Sequence, residues 1–170
     1  NVGFMVIDEV AEKYNFNEFS FDKYANALVI KGIIGEKEII LAKPQTFMNS
    51  SGLTIKSLYT RYKIQDTRYL VVVHDDIDLP TGTVRVSQGS GSAGHKGVES
   101  IIQQFGTNEF TRIRIGILPE RGKPQDVENF VLRRFLPEDE GKTASAIQRS
   151  CIAIETILTQ GTENAIGTLK

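Results

Sequence analysis

At 170 residues, 40% of them hydrophobic and 24% charged, the chain has the makeup of one globular domain, residues 1–170, with a sizeable core. A formal net charge of −1 excludes a protein coated in nucleic acid, so any RNA contact is focal. No stretch of about 18 apolar residues spans a bilayer and the N-terminus lacks a secretory signal pattern, while a lone cysteine, Cys151, suits a reducing compartment; a cytoplasmic protein without a membrane partner is expected, and a monomer because nothing marks an oligomer seam.

Phe4, Ile7, Ala11 and Tyr14 recur at helical spacing and predict an opening helix with that apolar face. "NALVIKG" and "EKEIILA" read as two strands of a hairpin that turns near Gly35. "KPQTFMNSSG" is a polar connection into a helix carrying Ile55, Leu58, Tyr59 and Tyr62, with Asn49, Ser50 or Ser51 as its cap. "RYLVVVHDD" predicts a buried strand, "TVRVSQ" a more exposed one, and "TRIRIGIL" a third in which Arg112 and Arg114 alternate with isoleucines. Between the last two, "GSGSAGHKGVESIIQQFG" is a glycine-rich turn feeding a helix. "DVENFVLRRF" reads as helical, and Ile147, Cys151, Ile154 and Leu158 form a final helical face. Strands interleaved with helices define an α/β domain, and the hairpin favours a mixed sheet.

Three stretches carry chemistry. Gly89-Ser90-Gly91-Ser92-Ala93-Gly94 satisfies G-x-G-x-x-G, but Glu109, 20 residues after Gly89, precedes its strand instead of ending one, so the dinucleotide reading fails. The Walker pattern fails too, because His95 stands where lysine belongs. A glycine-rich helix N-terminus remains, suited to an anion or needed only for a tight turn.

His74, Asp75, Asp76 and Asp78 offer oxygen and nitrogen ligands, yet histidine pairs, cysteine pairs and EF-hand spacing are missing, so no metal is assigned. Asp76 and Asp78 read as turn formers ahead of Leu79-Pro80-Thr81-Gly82. Asp75 directly follows the apolar strand, and a partly buried carboxylate there calls for a partner such as a histidine N–H. Asn49 either caps a helix or presents its amide to a substrate, with Phe47 and Met48 as an apolar lip.

"KPQTFMNSSG", "VVHDDIDLPTG", "GSGSAGHKGVESI" and "FTRIRIGI", in that order, resemble bacterial-type peptidyl-tRNA hydrolase over most of the chain. The resemblance implies a single three-layer α/β/α domain with a mixed β-sheet, its first strand absent from this chain. It implies an enzyme that cleaves the ester joining a peptide to the terminal adenosine of tRNA and so recycles tRNA from prematurely released chains, without cofactor or metal. An aspartate at the position of Asp75 then polarises a histidine that activates water. That histidine is expected immediately before Asn1, in a segment absent from the sequence, and is neither His74 nor His95. Asn49 matches the asparagine that binds substrate beside the ester, Phe47 and Met48 its pocket wall, and Asn1 the residue following the base. Lys96 stands where a substrate-contacting asparagine is usual. Arg114 matches one member of a basic pair that grips the tRNA 5′ phosphate. The partner lysine aligns with Ser87, so Arg85 is expected to substitute in part.

A second class of function is a non-catalytic RNA-binding relative, like the plant organelle splicing factors with this fold, using Arg85, Lys96, Arg112 and Arg114 as a focal basic patch. A third, a metal-dependent phosphohydrolase, would lose its activity to chelators.

Overall fold

A computed structural model of the chain describes residues 1–168. In chain order its elements are α1 (Val2–Lys13), β1 (Ser20–Asp22), β2 (Ala27–Ile34), β3 (Lys37–Pro44), α2 (Ser51–Arg61), β4 (Val71–Pro80), β5 (Val84–Gln88), α3 (Lys96–Phe105), β6 (Thr111–Leu118), α4 (Val127–Phe130), α5 (Pro137–Gln160) and α6 (Thr162–Thr168). The α/β class expected from the sequence holds. Contacts divide the chain into two compact units, one of Asn1–Val10, Val73–Ser87 and the chain from Arg112 on, the other of Ala11–Val72 and Gln88–Thr111.

In the second unit the expected hairpin forms: β2 and β3 pair antiparallel from Ala27 with Pro44 to Ile34 with Lys37, and the chain turns at Gly35 and Glu36. The short β1 adds to the other edge of β2, completing a three-stranded sheet. Along β2, Ala27 and Val29 are buried on one face and Ile30 and Ile34 on the other, and Ala27 and Val29 join Ala25 and Leu58 of α2 in one cluster. A second cluster joins Val98 and Ile101 of α3 to Phe110, with Ile55, Leu70 and Val72 against it. Helices α2 and α3 meet where the Gly52 N–H donates to Ser100 Oγ at 3.0 Å, a bond that satisfies a first-turn amide of α2.

In the first unit, α1 forms as expected, but its buried face is centred elsewhere. Val2, Val6 and Val10, at 2%, 0% and 0% exposure, are most buried; Ala11 of the expected face is buried too, whereas Phe4, Ile7 and Tyr14 are only half-buried. The reason is close approach: a Cβ on Gly3 would lie 2.5 Å from the Val73 carbonyl, so the slim valine edge of the helix meets β4. The second sheet has strand order β4-β6-β5. Thr81 N–H donates to Leu118 O and Thr111 N–H to Leu70 O, joining end to end and start to start, so β4 and β6 run parallel. Gly116 N–H donates to Thr83 O where β5 begins beside the end of β6, so β5 runs antiparallel and this sheet is mixed. Val84, Val86, Ile113, Ile115 and Ile117 from these strands are buried, as are Ala146, Ile147, Cys151, Ala153 and Ile154 of α5.

Two expectations need correction. The acidic stretch is not a turn: β4 runs on through Asp75, Asp76 and Asp78 to Pro80, because the cation of Arg114 on β6 compensates the buried Asp76. "DVENFVLRRF" is helical only over α4, one turn capped by Asp126, whose carboxylate accepts from Asn129 N–H at 3.1 Å. Beyond it Leu132 is 83% exposed, so the apolar residues there lack the packed neighbours that stabilise a longer helix.

Candidate active site

The candidate residues fall in two groups, one in each unit. In the first unit, period-two alternation sends Asp75 and Asp76 to opposite faces of β4. Asp75 is half-buried at the position where the apolar run ends. Beside it, His74 is 5% exposed and its Nδ1–H donates to the Asp75 backbone carbonyl at 2.7 Å, so His74 supports the strand from within. Asn1 belongs to the same neighbourhood. Its Oδ1 accepts from Phe4 N–H at 3.2 Å, which caps α1, and the Gly3 approach to Val73 seats that first turn against β4.

Asp76, read from sequence as a turn former, is 7% exposed. Its Oδ2 accepts from Arg114 Nε and Nη2, each at 2.6 Å, and its Oδ1 accepts from Asp78 N–H at 2.9 Å. Arg112, expected in an exposed basic patch, is instead 2% exposed. Burial and the charge of Arg114 pull its pKa below the usual arginine range, and Asp76 opposes them. Arg112 therefore cannot present its charge to an RNA, and the basic patch loses one of its four members. Arg85 is exposed on β5, the strand next to β6. Asp78 is exposed and pairs with Lys123 at 2.7 Å.

In the second unit, a single 3₁₀ turn, Met48–Ser50, leads into α2. Asn49 does not cap α2: neither Asn49 nor Ser50 makes a side-chain cap bond, and Ser51 Oγ instead donates back to Met48 O at 2.8 Å. The Asn49 amide is exposed, with only a long 3.5 Å contact from Ser50 Oγ. Phe47 is 87% exposed, so this ring lies on the surface and not in the core. An exposed phenylalanine, a partly exposed methionine and an open amide on three consecutive residues form a lip able to cover an apolar group and hydrogen-bond a carbonyl.

This turn sits on the start of α3. A Cβ on Gly97 would lie 2.6 Å from Met48 Sδ and 3.1 Å from His95 Cε1, so a side chain there would displace the Met48 thioether and crowd the His95 ring. His95 is the N-cap of α3, with Nδ1 accepting from Val98 N–H at 3.2 Å, which places the neutral ring's proton on Nε2. Exposed Lys96 is the first helical residue. The glycine-rich helix N-terminus expected to receive an anion thus has one of its N–H groups engaged by the chain itself. Sequence reading missed this role because caps are sought among Ser, Thr, Asp and Asn; the available signal was a ring nitrogen directly before the apolar run. Replacing His95 by alanine should cost about 0.5–2 kcal/mol in urea unfolding, and asparagine, itself a good cap, should recover most of it.

Among the described residues no cluster of three or more His, Cys, Asp or Glu is placed to hold a metal ion, and no helix is long and apolar enough to cross a membrane.

Comparison with solved structures gives the class first. The crystal structure of peptidyl-tRNA hydrolase from Acinetobacter baumannii superposes with a TM-score of 0.89 at 25% identity, covering 99% of this chain and 84% of that one. Among curated proteins, "Peptidyl-tRNA hydrolase" of Chloroflexus aurantiacus is 37% identical over 98% of this chain and 87% of its own length. The protein of the same name from Bacillus subtilis is 40% identical over 94% and 83%. The model of the peptidyl-tRNA hydrolase family matches residues 1–170. This chain belongs to the peptidyl-tRNA hydrolase family.

Proposed function

We infer that this protein hydrolyses the ester between a peptide and tRNA, releasing both for reuse. The observation that carries this reading is the family match along the whole of residues 1–170. Cleavage adds water to the ester carbonyl carbon, and the bond to the ribose oxygen of the terminal adenosine breaks. The peptide departs as a carboxylate, the ribose oxygen takes up one of the water's protons and the other is released to solvent.

We assign Asp75 to orient the general-base imidazole that the resemblance implies. A carboxylate accepting one ring N–H fixes the tautomer that leaves the other nitrogen free to take a proton from water. Asn49 donates its amide to the substrate beside the ester, while Phe47 and Met48 cover apolar substrate surface. Lys96 adds donors at the start of α3, where it replaces amide chemistry with charge. Asn1, whose Oδ1 is held by the helix, retains its amide N–H groups for substrate. Arg114 and Arg85 grip phosphate on the tRNA. The protein works as a monomer, without metal, in the cytoplasm where translation supplies its substrate.

The reading is tested with full-length protein and tRNA carrying an N-blocked or a free amino acid. The blocked substrate, which mimics a peptide, should be cleaved and the free one spared. Asn49→Ala should lower kcat/KM by about 10-fold or more, the worth of one strong hydrogen bond. Equal rates on both substrates, or an unchanged Asn49→Ala variant, would remove these assignments.

A further inference from the structure

Asp76 has no part in the chemistry above, yet it is among the most constrained carboxylates in the first unit. It is 7% exposed and both its oxygens are engaged, Oδ2 by Nε and Nη2 of Arg114 and Oδ1 by the Asp78 N–H. A carboxylate fixed from both ends fixes in turn the plane of the guanidinium bound to it. The Arg114 side chain keeps 21% of its surface exposed, and its Nη1 is not among the atoms that Asp76 holds. Arg112, buried two residues before Arg114 on the same strand, places a second guanidinium near the pair.

We propose that Asp76 is a positioning residue of the tRNA grip: it holds the Arg114 guanidinium so that the edge bearing Nη1 meets the 5′ phosphate. This rests on reading Arg114 as a phosphate ligand. It also assigns a role to each half of the Asp75-Asp76 dipeptide. Opposite faces of one strand serve ester cleavage and tRNA binding, so one strand sets both registers.

The test uses full-length protein and N-blocked aminoacyl-tRNA with and without its 5′ phosphate, and reads the ratio of the two kcat/KM values. Asp76→Asn keeps the size and an acceptor for the Asp78 N–H but gives up the charge that holds Arg114. It should shrink the wild-type preference for the phosphorylated substrate by about 10-fold. Asp76→Glu, which restores the charge, should recover part of that preference. In an Arg114→Ala background, Asp76→Asn should change the ratio no further. If Asp76→Asn lowers both values equally and leaves the ratio intact, Asp76 is only structural and the proposal is overturned. Should Asp76→Asn fail to fold, Asp76→Glu decides alone: a reduced ratio supports positioning and an unchanged one refutes it. A wild-type ratio of one, or an Arg114→Ala variant with the wild-type ratio, would instead remove the phosphate reading of Arg114 itself.

Discussion

Asp75→Asn in the full-length protein should reduce kcat on N-blocked aminoacyl-tRNA by about 10²- to 10⁴-fold, the range that a positioned general base contributes. Asparagine matches aspartate in shape, so packing around β4 changes little. What changes is the partner it offers an imidazole: a neutral amide neither stabilises the imidazolium nor selects one tautomer, because it presents a donor as readily as an acceptor. KM should move far less, since Asp75 is assigned to the base and not to the tRNA. Multiple-turnover kinetics over a range of substrate concentrations separate these quantities. A loss carried by KM alone would put Asp75 in binding.

Phe110→Ala should destabilise the protein by about 3–5 kcal/mol, measured by urea unfolding. Phe110 is 1% exposed and packs with Val98 and Ile101, the residues that seat α3, while Leu70 and Val72 close over the same cluster. Removing the ring leaves a cavity that the second unit cannot fill by a small shift, because its neighbours come from both a helix and strand ends. The start of α3 carries His95, Gly97 and Lys96, so activity should fall with stability at temperatures approaching the lowered midpoint. A Phe110→Leu variant, which keeps most of the volume, should lose much less.

The parts of the fold that were legible in the sequence are those governed by local periodicity. The hairpin of β2 and β3 announces itself through two short apolar runs flanking a glycine turn, and both strands lie where that pattern puts them. Helix α2 and the long α5 follow the same logic at the helical period, since each buries one continuous stripe. The opening helix was legible in existence but not in orientation. Its half-buried face holds larger apolar residues than its buried one, and only the approach of β4 to Gly3 selects the valines.

What stayed hidden depends on partners distant in sequence. Asp75, Asp76 and Asp78 look like a turn because three carboxylates in four residues are unfavourable in a strand interior. The strand persists because Arg114, 38 residues beyond Asp76, compensates the buried charge. Arg112 looked exposed for the same reason in reverse: alternation with isoleucines suggested a solvent face, but that face is occupied and the arginine is 2% exposed. Strand β1, with three residues, is too short for any periodicity to register. At the site, the identities of Asn49, Phe47 and Met48 were readable from the motif, and the structure adds that all three are exposed. The dependence of their turn on Gly97 and on the His95 cap belongs to packing between two loops 48 residues apart, from Met48 to Lys96, and no local pattern reports it.

Hydrolysis of N-blocked aminoacyl-tRNA in ¹⁸O-labelled water, with mass analysis of both products, tests the central claim most directly. Turnover by the full-length protein is expected, with one ¹⁸O in the released carboxylate and none in the tRNA. No release above buffer, or label in the ribose hydroxyl, would contradict it.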